Sequence, residues 1–493
     1  VAAAVVVGLG GSLQSPLLGA FGLGLSVRLD ALSAVMFALV AFVGWVVLEF
    51  SRNYLDGDAR HGAFLGGLSA TLAAVLLLVL SGNLVQLAAA WIATSLGLQR
   101  LLVFYAERRR AQIAARKKHL VAQLGNACLV VAVGLLLWTF RTADLGELTQ
   151  AARALATAGS VPLAVHGACL LLALAALLKS AQFPTHGWLP EVMETPTPVS
   201  ALLHAGLINA GGFLVIRLAD VVLLSAPALW LLAGIGGLTA LFGSLVMLTQ
   251  SNIKGALAYS TVSQMGFMLL ECGLGAFSLA VLHIVAHSLY KAHAFLASGS
   301  AVEVARALEP ETQSASVSAL RPRLAALAIG LVGGMAAYLG GASLFGKAWP
   351  SGPVPLLFGV LLVLGLCQWL AQAHRTGKPH AALLAQAFAG SLLTAALYFL
   401  LKSGADRLLS GALPAASAAD TVTLTLGGIA VGAFAALAVV QVLAPALTGS
   451  PLGRAAYVHL KHGLYVNHWF DRLVGATRQT FSTHAQLTKE IAQ

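Results

Sequence analysis

The chain has 493 residues, of which 58% are hydrophobic and only 10% charged, with a formal net charge of +11 and a mean hydropathy of +0.86. Soluble domains carry about 25% charged residues, so this composition excludes a soluble globular protein and indicates a polytopic membrane protein. The basic excess resembles a nucleic-acid signature, but its placement along the chain argues for membrane topology instead.

Apolar runs of about twenty residues are long enough to cross a bilayer core of about 30 Å. They predict full spans near 29–50, 62–80, 84–104, 119–139, 161–179, 198–219, 228–250, 253–273, 275–300, 319–343, 353–373, 380–402 and 420–446. A shorter apolar piece, 1–12, precedes them and is expected to belong to another span. The chain begins at Val1 rather than methionine, so the true N-terminus is expected upstream, and a polytopic protein needs no cleaved signal peptide. The predicted fold is all-α: a membrane bundle of about 13–14 transmembrane helices over residues 1–446, followed by a C-terminal amphipathic segment, 447–493.

Alternating the spans across the bilayer gathers most of the 29 Lys and Arg residues on one side. These loops lie near 51–61, 105–118, 251–254, 301–323 and 374–379, with the tail after 446. The densest cluster is Arg108, Arg109, Arg110, Arg116, Lys117 and Lys118. The positive-inside rule makes that side cytoplasmic, which places the C-terminal segment on the cytoplasmic side and leaves no nucleic-acid role. The 4 cysteines, Cys128, Cys169, Cys272 and Cys367, stand singly in apolar spans, the pattern of small buried hydrophobes rather than of a cluster, zinc site or disulfide framework. No glycine-rich nucleotide loop or HExxH pattern occurs, so no cofactor or metal is expected in this chain.

The most informative stretch is Lys179 to His204. Lys179 ends an apolar run, and the segment beyond it carries Pro184, Pro190, Pro196 and Pro198 with His186, Glu191 and Glu194. A charge at the bilayer centre costs at least about 2.5–3.5 kcal/mol, so a lysine beside a proline-interrupted segment suggests an ion pathway. Glu191 and Glu194 read either as loop residues or as a carboxylate entrance to that pathway. Lys254, at a predicted span start, reads as a snorkelling anchor or as a pathway group.

Within the span 275–300, His283, His287 and Lys291 recur every four residues. This spacing stacks them on nearly one helical face, about 6 Å per step. Histidine titrates near working pH, so the stripe suits a proton relay, although each group alone could instead tie helices together by hydrogen bonds. His293 lies off the stripe and reads as structural. Two stretches, 84–250 and 253–402, each hold about five spans and a lysine beside a broken segment (Lys179; Lys347 before Pro350 and Pro353), the pattern of repeated halves with discontinuous helices. After Arg454 the sequence mixes basic and aromatic residues and is too polar to span. It reads as a surface anchor or as a docking arm for a partner.

Several of these residues resemble one family. Lys179-Ser-Ala-Gln, Trp188-Leu, Pro196-Thr-Pro-Val-Ser-Ala-Leu-Leu-His204-Ala, Ile253-Lys254, Leu257-Ala-Tyr-Ser-Thr-Val-Ser-Gln-Met-Gly266, the His283/His287/Lys291 stripe and Phe295-Leu-Ala-Ser-Gly-Ser300 are similar to proton-conducting antiporter-like subunits. That family includes subunit L of respiratory complex I, the large Mrp antiporter subunit and the inorganic carbon transporter subunit DabB. The resemblance runs from about Asp30 to Ser300. It implies that Lys179 is the central protonatable group of one half-channel, that His204, Lys254, His283, His287 and Lys291 extend a hydrated axis, and that Lys347 matches the lysine of the second half.

The departures are specific. Where the family carries Trp-Glu, this chain has Trp91-Ile92, and the usual Arg-x-Gly-Asp is Gln123-Leu-Gly-Asn126. Charged Lys179 therefore loses its carboxylate partner unless another acid substitutes, and Arg100 either compensates or caps its span. Only about 40 residues follow position 450, short of the long lateral helix of subunit L, and the extra domain of the Mrp subunit is not expected. DabB is the branch most resembled. This implies a membrane subunit that is not itself an enzyme and that passes H+ or Na+ downhill. Its partner would be DabA, a zinc protein similar to β-type carbonic anhydrases, which makes CO2 hydration one-way so that bicarbonate accumulates. A proton-pumping subunit of an NADH dehydrogenase and a monovalent cation/proton antiporter subunit stay open as alternatives.

Overall fold

A computed structural model describes residues 11–20, 23–299, 320–346, 352–374, 381–415, 419–447 and 450–474. Nine helices among the described residues are long and apolar enough to cross a membrane: Ala31–Tyr54, His61–Val79, Arg109–Phe140, Thr197–Arg217, Ala226–Met247, Phe277–Gly299, Pro353–Leu370, Ala385–Leu409 and Thr421–Gln441. Shorter apolar helices, Leu163–Lys179 and Leu327–Ser343, add to them. Leu84–Leu102 and Ile253–Gly273 have spanning length as well but carry more polar residues. The predicted multi-pass helical fold is therefore the observed one. The apolar piece at 1–12 lies almost wholly outside the described residues.

One feature was not foreseen. Among the described residues, Leu13–Gln14 pairs with Arg28–Leu29 and Leu18–Ala20 with Leu23–Leu25 as short antiparallel strands, ahead of the Ala31–Tyr54 helix. That helix begins at Asp30, which accepts from Ser33 N while Ser33 Oγ accepts from Asp30 N, a reciprocal cap that satisfies two otherwise orphaned donors. The same carboxylate receives Arg217 at 2.6 and 3.2 Å and Arg28 at 3.0 Å. One buried anion thus fastens the Arg28–Leu29 strand, the Ala31–Tyr54 helix and the end of the Ala210–Arg217 helix.

Residues 180–196, read as a proline-interrupted segment, are broken into short turns, Thr185–Gly187, Trp188–Glu191 and Val192–Glu194, with His186, Trp188, Leu189 and Val192 buried. Ala181, at φ 49°, marks the point where helical geometry fails after Lys179. The next helix is also interrupted: Thr197–Ala205 stops at Gly206, passes through a 3-10 turn at Leu207–Asn209 and resumes as Ala210–Arg217. Irregular backbone at membrane depth is tolerated where protein surrounds it, and both breaks are enclosed here.

The pair Ala226–Met247 and Ile253–Gly273 packs most intimately. A Cβ on Gly266 would lie 2.5 Å from Ala240 N, so only glycine permits this approach, as small residues do generally between membrane helices.

Candidate ion pathway

Lys179 closes the Leu163–Lys179 helix, and its side chain turns into the neighbouring Leu84–Leu102 helix. Its Nζ donates to Ser95 Oγ at 2.7 Å, Thr94 Oγ1 at 2.9 Å and Trp91 O at 3.4 Å, and stands 4.5 Å from the Trp91 ring centroid. Every acceptor is neutral, and among the described residues no carboxylate pairs with it. The place of the family's glutamate is taken by two hydroxyls, a carbonyl and an aromatic face, which suit a cation. Arg100 is exposed at the end of its helix and contributes nothing to this site.

The sequence reading assigned Lys117 and Lys118 to the basic surface cluster. Both are buried instead, at 0% and 5% exposure. Lys118 Nζ donates to Ser95 O at 2.5 Å and, with Lys179, Thr94 and Trp188, lines a cavity of about 20 Å³. Lys117 faces elsewhere. It meets both oxygens of Glu191 at 2.6 Å, Asn467 Oδ1 at 3.4 Å and the Asp471 carboxylate, while Asn467 Nδ2 donates to Glu191 at 2.5 Å. Glu191 is thus half-buried beneath the C-terminal Val466–Val474 helix. The Val466–Val474 helix is a docked element of the bundle as well as an amphipathic one.

A second group surrounds the stripe on the Phe277–Leu296 helix. His204 Nδ1 lies 3.0 Å from Thr261 Oγ1, its ring stacked on Phe295 at 4.2 Å. Lys291 Nζ donates to Leu257 O at 3.1 Å. His287 is buried with neither ring nitrogen partnered among the described residues, and it interacts electrostatically with His283, Lys291 and His204. His283 lies 6.2 Å from the His287 ring and bonds Glu271 at 3.0 Å and Gln264 at 2.9 Å. The three groups do share a face, as the spacing predicted. Lys254 reaches Thr197 Oγ1 at 3.4 Å, at the rim of the group.

The two groups approach each other at the kink of the second broken helix. Ser180 Oγ, next to Lys179, donates to Ile208 O at 3.0 Å, and Asn209 Nδ2 donates to Ser288 Oγ at 2.8 Å, one residue from His287. Ser180–Ile208 and Asn209–Ser288 thus link the elements that carry the two groups at the kink. The side chain of Glu194 and the whole of Lys347 lie outside the described residues.

Sequence reasoning missed Lys118, Lys117 and Glu271. Glu271 stood in plain view, an acid inside the run Leu269-Leu270-Glu271-Cys272, which by itself marks a functional candidate. The lysines were legible in phase: Lys118, Val121, Gly125 and Leu129 follow the buried face of the Arg109–Phe140 helix.

Residues 81–347 match the family described as NADH:quinone oxidoreductase/Mrp antiporter, TM, and residues 17–65 match NADH-Ubiquinone oxidoreductase (complex I), chain 5 N-terminus. The chain is 40% identical over 457 residues to the probable inorganic carbon transporter subunit DabB2 of Halothiobacillus neapolitanus, covering 92% of this chain and 80% of that protein. It is 43% identical over 313 residues to the probable inorganic carbon transporter subunit DabB of Hydrogenovibrio crunogenus, covering 62% of this chain and 60% of that one. Among solved structures, the Mrp complex from Dietzia sp. superposes with a TM-score of 0.65 at 25% identity, covering 100% of this chain and 57% of the matched chain.

Proposed function

The chain belongs to the NADH:quinone oxidoreductase/Mrp antiporter family of membrane subunits and is a cation-conducting member of it, and on that premise we propose that it carries H+ downhill to energise inorganic carbon uptake. The carbon specificity rests on its likeness to the two bacterial DabB proteins. The coupling partner in this reading is a DabA-like zinc protein similar to carbonic anhydrases. It hydrates CO2 on the cytoplasmic side, and the ion flow makes that step one-way so that bicarbonate accumulates. The chemistry belongs to that partner, and this chain supplies the driving force in a bacterial inner membrane, with its C-terminal segment on the cytoplasmic side.

The single observation that carries the choice of ion is the kind of group along the axis. Lys179, Lys291, His204, His287 and His283 are proton-exchanging side chains separated by hydroxyls and carbonyls. Buried titratable chains of this kind serve as proton relays. A sodium site calls for clustered oxygen ligands, whereas the two lysines would repel a metal cation by direct charge.

The test is co-expression with the partner in a host that cannot take up inorganic carbon. Growth at ambient CO2 should be restored by the wild type, lost with Lys179→Ala and abolished by a protonophore. Uptake that persists with the protonophore and stops only on Na+ removal would replace H+ by Na+. Unchanged growth of the Lys179→Ala strain would remove Lys179 from the coupling path.

A further inference from the structure

Lys118 and Lys179 come from different helices yet bind the same residue. Lys118 Nζ donates to the Ser95 carbonyl at 2.5 Å, and Lys179 Nζ donates to the Ser95 hydroxyl at 2.7 Å. Between them lies the cavity of about 20 Å³, room for about one water molecule. Its polar wall is unusual because it is almost all donor. The Thr94 hydroxyl already gives its proton to Trp91 O at 2.7 Å, and Trp188 Nε1, on a residue 3% exposed, has no partner.

Among the described residues the surroundings offer no unengaged carboxylate. The Leu84–Leu102 helix presents Trp91, Ile92, Thr94 and Ser95, none of them ionisable. Glu191, on the short Trp188–Glu191 turn, is engaged by Lys117 and Asn467. From the Thr197–Ala205 helix, His204 turns away to Thr261 and Phe295. Two ammonium groups bound to one residue in a buried site repel each other, which disfavours the doubly charged state. With one of them neutral, the amine lone pair becomes the acceptor that a bridging water requires, and the donor-rich wall is satisfied.

Resting on the proton-pathway reading above, we propose that Lys118 is a second proton-carrying residue, sharing one proton with Lys179 through a single water. The transfer balances simply. Lys118 Nζ gives its proton to the water oxygen, the water passes one of its own protons to the Lys179 Nζ lone pair, and the positive charge moves from one lysine to the other with no other bond changed. Lys118 thereby fills the role left open by Ile92, through charge alternation instead of ion pairing.

The experiment uses the complex of this chain with its partner and measures initial carbon uptake across pH, normalised to folded complex recovered by size exclusion. The variants are Lys118→Met, Lys118→Arg, Lys118→His and Lys179→Met. Arginine keeps the charge and its reach but does not release a proton. Uptake should fall at least about 100-fold in both the methionine and arginine variants, the lower end of what a positioned proton-transfer group contributes. The histidine variant should retain uptake with its pH profile displaced to lower pH. Wild-type rate and pH profile in Lys118→Arg would overturn the proposal, because a fixed charge would then suffice; this comparison stands even where Lys118→Met fails to fold. Wild-type uptake in Lys179→Met would instead defeat the pathway reading itself.

Discussion

Removing the carboxylates around Lys117 should destabilise the protein in a strongly non-additive way. The lysine side chain is 1% exposed, while Glu191 and Asp471 are 29% and 24% exposed, so the cation is enclosed and its two anions face the rim. At 2.6 Å and an effective dielectric near 20, a unit pair attracts by about 6 kcal/mol before desolvation is subtracted. Loss of a buried partner costs about 3–5 kcal/mol when the remaining charge is left uncompensated. Here each carboxylate cushions the loss of the other. Glu191→Gln or Asp471→Asn alone should therefore cost about 1–3 kcal/mol, the scale of a lost charge-assisted hydrogen bond. The double variant should cost at least about 3–5 kcal/mol beyond what fixed hydrogen bonding retains. Adding Lys117→Met to that double variant should recover much of the loss, since an apolar side chain then fills the same space. Thermal unfolding in lipid nanodiscs, followed by tryptophan fluorescence, reads all four proteins. Additive single effects with no recovery on Lys117→Met would refute the reasoning.

Other consequences are independent of that network. Burial alone would raise the Asp30 carboxyl, but the Arg217 charge and the hydrogen bonds from Arg217, Ser33 and Arg28 hold it well below the usual carboxylate range. Its stabilisation is therefore complete above the unfolded value of about 3.9 and is lost as pH falls through the folded value. Asp30→Asn should lower stability at neutral pH by about 3–5 kcal/mol and flatten the acid limb of a melting-temperature profile; an unchanged acid limb would contradict this assignment. Gly187→Ala should free the C-terminal helix, because its Cβ would fall 1.9 Å from Asn467 Oδ1, and faster hydrogen exchange over 466–474 reports the release. Glu271→Gln keeps a hydrogen-bond acceptor for His283 but removes the titratable group, so uptake should drop at least about 100-fold with little change in melting temperature.

Much of this was written plainly in the sequence. Hydropathy placed the spans because lipid-facing and buried helix surfaces are both apolar, and the four-residue spacing placed His283, His287 and Lys291 on one face because the helix repeats at 3.6 residues. The misplaced parts have physical causes. Prolines at 184, 190 and 196 signal a broken helix, but hydropathy does not say whether protein or water surrounds the break, and here Trp188 and Leu189 are buried. Lys117 and Lys118 adjoin a run of arginines, so local charge looked like surface. Their burial depends on Asp471 and Ser95 in distant segments, and no local pattern reveals such partners. The strand pairs fall between the apolar piece 1–12 and the predicted span 29–50, and strands of two or three residues with exposed Leu18 and Leu25 are too short to show a period-2 pattern.

The central claim is that protons cross this chain by way of Lys179. The most direct measurement is proton flux in liposomes containing the complex, with a pH-sensitive dye inside and an imposed pH gradient. Wild-type complex should dissipate the gradient faster than empty liposomes, and Lys179→Met should reduce that rate to the background. Equal flux in the two proteins, or a wild-type rate no greater than that of empty liposomes, would contradict the account.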